Sequence, residues 1–318
     1  MRSAEKVEMV IANIERVVVG KRQEVELSLV ALLAGGHVLL EDVPGVGKTM
    51  MVKAIAKSLG ANFKRIQFTP DLLPSDVTGV SIYNQKTQEF EFKQGPIMSN
   101  IVLADEINRT SPKTQSALLE ALEEGNVTID GETHQLQQPF FVMATQNPIE
   151  YAGTFPLPEA QLDRFLLKIK LGYPTLQDEL EVLNRLENQH PIDQLESVID
   201  TTELLTLREQ VAAIFVDQDI KNYLVQIIHQ TRGNDLIELG VSPRGSIALM
   251  KAAKALALLN GREYVLPDDI KRLAVPVLAH RMTLSTQARM SNLSAREIIQ
   301  QILSRVEVPV SRRRVTST

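Results

Sequence analysis

The chain has 318 residues, of which 44% are hydrophobic and 23% are charged, a composition typical of a globular protein of about two domains. With 39 acidic and 34 basic residues its formal net charge is −5, which argues against a dedicated nucleic-acid binder. It contains no cysteine, which excludes disulfides, zinc fingers and a catalytic thiol, and its five histidines are scattered without the spacing of a metal site.

The N-terminal region mixes charged residues into its apolar positions and lacks the uninterrupted apolar core of a signal peptide. The longest apolar stretch, residues 27–40, is interrupted by two glycines and a histidine and is too short to span a bilayer. These features predict a soluble, cytoplasmic protein. Apolar residues at helical spacing predict two helices within residues 4–33, separated near residues 17–23.

A strand, a loop and a helix follow in the order that a phosphate-binding P-loop requires. The apolar run at residues 37–40 predicts a buried strand, and residues 49–60 have the spacing of a helix that ends at Gly60. Between them the sequence reads PGVGKT, in which small residues let the backbone approach a phosphate at the helix N-terminus. The loop is therefore predicted to bind nucleotide through Pro44, Gly45, Val46, Gly47, Lys48, Thr49 and Met50.

The strict P-loop pattern begins with a glycine, and that position is occupied here by Asp42. A carboxylate beside a triphosphate should repel it, so either the match is accidental or the side chain points away from the ligand. We predict that Asp42 hydrogen-bonds within the loop or to the strand edge. In the loop itself, Lys48 would reach the β- and γ-phosphates and the Thr49 hydroxyl would bind Mg²⁺.

Two further apolar runs, at residues 101–109 and 139–148, predict buried strands that end in polar clusters. Residues 79–92 and 127–136 read as β-hairpins, the second with a tight Asp-Gly turn. Strands that alternate with helices predict a parallel α/β sheet, whose ligands bind at the carboxyl ends of the strands.

The polar clusters at these strand ends supply candidate catalytic residues. Asp105 can complete a Mg²⁺ site, and the adjacent Glu106 can polarise the attacking water. Asn147 can orient that water or contact the γ-phosphate, although Asn-Pro is also an ordinary turn-forming pair. Arg164 and Arg244 are candidates for stabilising charge on the phosphates, against the alternative of solvated or ion-paired surface roles.

After about residue 175 the strand patterns stop and helical periodicity continues. The sequence therefore predicts an α/β P-loop core with N-terminal helices at residues 1–187, and a smaller all-α domain with a C-terminal tail at residues 188–318. The polar segment 188–197 is assigned to the linker between them. Helices of the second domain are predicted at residues 201–215, 219–231, 242–261 and 266–281.

The segments EDVPGVGKT, LADEINR, ATQNP, LDRF and SPR, in this order along the chain, resemble the AAA+ ATPases and, within them, the MoxR family. The resemblance runs from roughly residue 5 to residue 285 and implies an AAA+ core with β-hairpin inserts, followed by an all-α lid. It also implies an ATPase that uses ATP and Mg²⁺, a ring-shaped oligomer that is usually a hexamer, and a chaperone-like role in activating or assembling other proteins. Frequent partners in the family contain von Willebrand factor A domains. The motifs are EDVPGVGKT (Walker A), LADEINR (Walker B), ATQNP (sensor 1), LDRF (arginine-finger region) and SPR (sensor 2).

The resemblance implies a role for each matching residue of the core. Lys48 and Thr49 would bind phosphate and Mg²⁺. Asp105 would hold the metal, Glu106 would act as the base, and Asn147 would sense the γ-phosphate.

The arginines have implied roles as well. Arg164 would act on the nucleotide of the neighbouring subunit, and Arg244, at the start of a lid helix, on the nucleotide of its own subunit. Arg109 is a second candidate for a contact across the subunit interface. The family's version of the loop also tolerates aspartate at residue 42.

Two other classes of function remain open. A nucleic-acid-dependent motor would share these motifs, but Lys86 is the single Lys or Arg between residues 80 and 92 of the first hairpin, and the second has neither Lys nor Arg. A nucleotide-gated scaffold with little turnover is the other alternative, although the candidate catalytic residues are present. A magnesium-chelatase-type motor subunit is a variant of the first function, and only its partner would distinguish it.

Overall fold

A computed structural model of the protein describes residues 2–147, 153–187 and 190–309. Contacts within it divide the chain into two compact units, Met1–Val211 and Ala212–Thr318. Three parts of the predicted features lie outside the described residues. They are Pro148 of the sensor 1 motif, residues 188–189 of the predicted linker, and the tail from residue 310.

The division into units falls later in the chain than the predicted domain boundary between residues 187 and 188. The segment that precedes the division is held to the first unit by hydrogen bonds. The N–H of Val198 donates to the carbonyl of Ser58 at 2.8 Å, and Arg208 Nε donates to the carbonyl of Leu32 at 2.9 Å. By their contacts, residues 190–211 thus belong to the same compact unit as the sheet. The boundary between the ATPase core and the helical domain at residue 187 stays a prediction.

The first unit consists of a central sheet, the helices around it and two hairpins. Its helices are α1 (Ser3–Glu15), α2 (Arg22–Leu33), α3 (Lys48–Ser58), α4 (Pro74–Thr78), α5 (Pro112–Glu124), α6 (Glu159–Leu162), α7 (Leu176–Leu186) and α8 (Thr201–Ala213), the last of which continues past the division. Its strands are β1 (Val38–Glu41), β2 (Phe63–Gln67), β3 (Gly79–Asn84), β4 (Glu89–Gln94), β5 (Ile101–Asp105), β6 (Asn126–Ile129), β7 (Glu132–Gln135), β8 (Phe141–Gln146) and β9 (Leu167–Ile169).

The central sheet has five parallel strands in the order β2-β5-β8-β1-β9. Strands β5 and β8 are apolar along most of their length and buried, because helices cover both faces of a parallel sheet. The core on one face joins strand residues such as Val102 and Val142 to Leu118 and Leu119 of α5. The predicted fold class, a parallel P-loop sheet flanked by helices, is confirmed.

Both predicted hairpins are present. Strands β3 and β4 pair antiparallel from Gly79 opposite Gln94, and β6 pairs antiparallel with β7. The turn of the second hairpin places Asp130 at φ 51° and Gly131 at φ 86°. Two successive residues with positive φ are what a two-residue turn needs to match the twist of its strands, which explains the Asp-Gly pair.

The second unit is helical, as predicted. The helix at residues 243–259 begins at the predicted place, with Ser242 as N-cap and Pro243 at the first helical position. A short antiparallel ladder, β10–β11, was not indicated by the sequence pattern because each strand has at most three residues. No helix in the described part of the chain is long and apolar enough to cross a membrane. The elements are α9 (Gln218–Arg232), β10 (Ile237–Leu239), α10 (Pro243–Leu259), α11 (Pro267–Leu278), β11 (Thr283–Leu284), α12 (Thr286–Met290) and α13 (Ala295–Arg305).

A buried histidine joins the sheet to α5 at the end away from the loop. The ring of His37 accepts a hydrogen bond from the N–H of Val142 at Nδ1, at 3.1 Å, and its Nε2 donates to the carbonyl of Leu122 at 3.1 Å. Burial, together with the positive charge of Arg208, favours the neutral ring and outweighs the hydrogen bond to Leu122, so that the pKa of His37 is lowered to about 4. The neutral tautomer satisfies both backbone groups at once.

This arrangement predicts a pH-dependent stability. Between about pH 6.5 and about pH 4 the unfolded chain protonates His37 while the folded protein does not, so stability is lost as the pH falls through this window. The residue alone should account for up to about 3 kcal/mol of that loss. We expect His37→Gln to show a smaller fall in unfolding free energy between pH 7 and pH 4 in denaturant titrations. The exposed His229→Gln should follow wild type, and identical pH profiles for all three proteins would contradict the assignment.

Candidate active site

The register of the sheet brings the predicted polar residues to one edge. Gln67 at the end of β2 lies opposite Asp105 at the end of β5, and Glu41 at the end of β1 lies opposite Gln146 of β8. All four residues end parallel strands, so their side chains share the carboxyl edge of the sheet. The loop that follows β1 begins at this edge and leads into α3.

The loop between β1 and α3 has the backbone that close approach to a phosphate requires. Gly45 and Gly47 have φ of 85° and 88°, a region that side-chain-bearing residues rarely adopt. Gly47 caps α3 without a side-chain hydrogen bond, and the first N–H groups of a helix have no partner within the helix. The Lys48 ammonium donates to the carbonyl of Asp42 at 3.2 Å, which holds the lysine side chain over the loop. The loop is therefore shaped to receive an anion.

The position of Asp42 resolves its departure from the P-loop pattern. Its side chain is buried, and from the end of β1 it reaches the residues that follow the edge strand β9. One carboxylate oxygen accepts a hydrogen bond from the N–H of Leu171, and the other accepts one from the N–H of Gly172 at 3.1 Å. The prediction that Asp42 bonds the strand edge is confirmed, and the carboxylate is turned away from the loop interior.

Replacing Asp42 should therefore lower stability. In Asp42→Ala the N–H groups of Leu171 and Gly172 lose their acceptor, which we expect to cost about 2 to 4 kcal/mol. Asp42→Asn keeps one carbonyl oxygen as acceptor and should lose less. Denaturant unfolding of the three proteins measures the order. A separate titration of Asp42→Gly with ATP tests repulsion, because tighter binding by a factor of about ten (1.4 kcal/mol) would mean that the carboxylate opposes the ligand.

A second acid at this edge is neutralised by lysines. Glu41 contacts Lys168 Nζ at 2.6 Å and Lys170 Nζ at 3.2 Å, and it accepts a hydrogen bond from Gln146 at 2.9 Å. Burial opposes the charge on this carboxylate, but the two lysines and the amide outweigh it, and the pKa of Glu41 lies below its usual value. Glu41 thus connects the end of β1 to β8 through Gln146 and to β9 and the residue that follows it through the two lysines.

Asp105 lies at the end of β5 and is 8% exposed. Its Oδ1 accepts a hydrogen bond from the Thr145 hydroxyl at 2.6 Å. Its Oδ2 accepts two from the Arg65 guanidinium, at 2.6 Å and 3.1 Å. The carboxylate is therefore held on one side by a buried hydroxyl and on the other by a half-exposed arginine.

Glu106 has an unusual backbone conformation, with φ 60° and ψ 49°. Its N–H donates to the Thr145 hydroxyl at 2.8 Å. Its carboxylate accepts a hydrogen bond from the Gln67 amide at 2.7 Å and pairs with Arg109 Nε at 3.3 Å. A left-handed conformation in a residue other than glycine costs about 1 kcal/mol or more, and such residues cluster at active sites as well as in turns.

The remaining candidates are distributed more widely. Asn147 is buried just beyond β8, and its carbonyl accepts a hydrogen bond from the Asn108 amide at 3.4 Å. Arg164 follows α6 and pairs with Glu123 of α5 at 3.2 Å. Arg244 lies in the first turn of α10 in the second unit, at the start of a helix as predicted. The structure thus brings Asp105 and Glu106 to the edge of the sheet at which the loop begins, and it pairs Arg164 with α5.

Three residues of the site are given no role by the sequence motifs, although one of them, Thr145, lies within ATQNP. Arg65 and Gln67 lie on β2 and contact Asp105 and Glu106, and Thr145 contacts both acids from β8. The polar side chains at alternate positions of FKRIQ, in a strand that neighbours β5, are the signal that could have found the first two.

Comparisons with known proteins agree with this geometry. Residues 37–167 match the ATPase family associated with various cellular activities (AAA), and residues 229–302 match the AAA lid domain. The chain is 64% identical over 302 residues to the protein YeaC of Bacillus subtilis, with 95% of this chain and 94% of that one covered. It is 45% identical over 311 residues to the chaperone MoxR1 of Mycobacterium tuberculosis, with 95% and 82% covered. The crystal structure of a protein from Cytophaga hutchinsonii, 42% identical, matches with a TM-score of 0.91 over 97% of this chain and 96% of that one.

Proposed function

The chain belongs to the MoxR family of AAA+ ATPases, and from that premise we propose that it hydrolyses ATP to ADP and phosphate in a Mg²⁺-dependent reaction within a ring, and uses the turnover to remodel partner proteins. The observation that carries the proposal is that Asp105 and Glu106 lie at the same edge of the sheet as the glycine loop, with β8 between their strand and β1. A nucleotide-binding loop alone would fit a scaffold as well.

The loop would bind the phosphates of ATP. Gly45 and Gly47 leave the backbone open on the side where a side chain would otherwise stand, and the N–H groups at the start of α3 point outward from the helix. Lys48 is within reach of the loop carbonyls and would exchange its bond to Asp42 for the β- and γ-phosphates. The residues that bind nucleotide in this proposal are Pro44, Gly45, Val46, Gly47, Lys48, Thr49 and Met50.

The donor set fits Mg²⁺. The Thr49 hydroxyl and the Asp105 carboxylate are hard oxygen ligands, which this ion prefers, and it is usually held by one or two carboxylates together with phosphate oxygens. Within the described residues no group of three or more His, Cys, Asp or Glu side chains could hold an ion by itself, which agrees with a site shared with the nucleotide. When bound, Mg²⁺ would neutralise charge on the phosphate oxygens during transfer.

Glu106 is proposed as the base. Its carboxylate would accept a proton from the attacking water while the water oxygen forms a bond to the γ-phosphorus and the bond from that phosphorus to the bridging oxygen breaks, releasing ADP. Gln67 and Arg109 hold the carboxylate in place in the present structure. Asn147 would orient the water or sense the γ-phosphate.

AAA+ proteins generally form oligomeric rings, and a hexamer is proposed here. Arg164 would contribute to the site of the neighbouring subunit, with Arg109 as a second candidate, and Arg244 would contribute to its own. The client is proposed to be a protein, and proteins with von Willebrand factor A domains are the candidates to test. The cytoplasm is the proposed location. The hairpin β3–β4 supports a protein client over nucleic acid, because Ile82, Tyr83 and Phe90 are exposed there and basic residues are few.

The test is the ATPase rate of the wild-type protein at increasing protein concentration, in Mg²⁺ and in EDTA, with oligomer mass recorded alongside. We expect specific activity to rise with assembly and to require Mg²⁺. Turnover at background level in the assembled state would instead support a nucleotide-gated scaffold. Stimulation by single- or double-stranded DNA at moderate salt would support the nucleic-acid motor.

A further inference from the structure

One buried hydroxyl connects both acids of the candidate site. Thr145, in β8, is fully buried. Its Oγ1 donates to Asp105 Oδ1 at 2.6 Å and accepts the N–H of Glu106 at 2.8 Å. A threonine hydroxyl has a single proton to donate, so the two contacts together determine the direction of its hydrogen bonds.

The contact to Glu106 acts on a backbone in the left-handed region, at φ 60°. The carbonyl of Asp105, in the same peptide, accepts the N–H of Phe68 at 2.9 Å, and the carbonyl of Glu106 accepts the N–H of Arg109 at 3.0 Å. Thr145 supplies the side-chain contact to this backbone. The Thr145 hydroxyl binds the amide of Glu106 directly and so opposes rotation of the peptide that carries the carboxylate. The side-chain bonds of Glu106, to Gln67 and Arg109, do not hold the peptide itself.

The two oxygens of the Asp105 carboxylate have partners that differ in their exposure to solvent. Its bond to Thr145 lies in the interior, whereas Arg65, on the other oxygen, is half exposed and can move into solvent. The carboxylate is buried, but the half-exposed guanidinium can be hydrated by solvent when a cation takes its place at Oδ2. The oxygen that faces Arg65 is therefore the one available for exchange, and the oxygen that faces Thr145 is the fixed one.

We propose that Thr145 is a positioning residue that orients the Asp105 carboxylate and the Glu106 backbone as a single unit and couples both to the strand that leads to Asn147. This inference rests on the proposed ATPase function. The alternative is that the hydroxyl only satisfies buried polar groups and has no effect on the reaction.

The test compares three variants. Thr145→Val keeps the shape of the side chain and removes the hydroxyl, and Thr145→Ser keeps the hydroxyl and removes the methyl group. Thr110→Val is the matched control, because Thr110 is also fully buried but its hydroxyl has no hydrogen-bond partner among the described residues.

We expect Thr145→Val to lower kcat by about 10- to 100-fold with little change in KM, since loss of an outer-shell partner costs about that much at metal sites. Thr145→Ser should stay within about threefold of wild type, as should Thr110→Val. If Thr145→Val also stays within threefold, or if Ser loses as much as Val, the hydroxyl does not position the site and the inference is overturned.

A binding measurement separates this inference from the proposed function. A non-hydrolysable ATP analogue is titrated into each variant with and without Mg²⁺. We expect Thr145→Val to bind the analogue without Mg²⁺ as tightly as wild type does. In wild type, Mg²⁺ should increase the affinity for the analogue, and the variant should lose most of this gain. An equal gain in both proteins would overturn the inference while leaving the ATPase proposal standing. Failure of wild type itself to bind the analogue or turn over ATP would instead refute the proposed function, and the inference with it.

Discussion

Glu106→Gln is expected to stop ATP turnover while nucleotide binding is retained. Glutamine has the shape of glutamate but cannot accept a proton from water, and loss of a general base lowers rates by about 10²- to 10⁴-fold. The amide oxygen at this position can still accept the hydrogen bond that Gln67 now donates at 2.7 Å, so the local structure should survive. The measurement is kcat at saturating ATP, with analogue affinity determined on the same preparation.

The matched comparison is Lys48→Ala, which removes the ammonium from the loop. That variant should lose nucleotide affinity as well as turnover, whereas Glu106→Gln should lose turnover alone. A Glu106→Gln protein that hydrolyses ATP within threefold of wild type would remove Glu106 from the role of base, and Asp105 would be the next carboxylate to test.

The sequence alone predicts those structural features that depend on residues close together in the chain. The loop from Gly45 to Thr49 and the hairpin turn at Asp130 follow from local backbone requirements, and both are present. Asp42 marks the limit of this reasoning. The sequence pattern predicts that its side chain points away from the phosphates. Its partners, Leu171 and Gly172, lie about 130 residues later in the chain, and only the folded sheet brings them to Asp42.

The parts that sequence reasoning does not reach depend on strand pairing. Strand β2 has one buried residue, Ile66, so hydrophobic periodicity does not mark it. Arg65 and Gln67 become part of the site only because β2 pairs with β5. Thr145 lies within the ATQNP motif, but the motif indicates no role for it, and its contact with Asp105 appears only when β8 pairs with β5.

The second large effect is expected for Arg164→Ala. In the proposed ring this arginine stabilises charge on the nucleotide of the next subunit, and removing such an arginine lowers kcat by about 10³- to 10⁵-fold. In the present structure Arg164 pairs with Glu123, a partly exposed ion pair that assembly can break at low cost. The variant should therefore fold, assemble and bind nucleotide as wild type does.

Glu123→Gln is the control for that pair, because it removes the same ion pair and leaves the arginine in place. It should retain wild-type turnover. If it falls as far as Arg164→Ala, the ion pair within the subunit sets the activity and the arginine has no role at a neighbouring site.

Mixing two inactive variants tests whether the arginine acts between subunits. A ring assembled from Arg164→Ala and Glu106→Gln subunits contains some interfaces at which the first supplies an intact Glu106 and the second an intact Arg164. If the arginine acts on the neighbouring nucleotide, such interfaces are complete and the mixture should hydrolyse ATP although neither protein does so alone. If Arg164 acts within its own subunit, every site in the mixture lacks one residue or the other and activity cannot return. Recovery would therefore establish the shared site, and its absence in mixed rings of confirmed composition would assign the arginine to its own subunit.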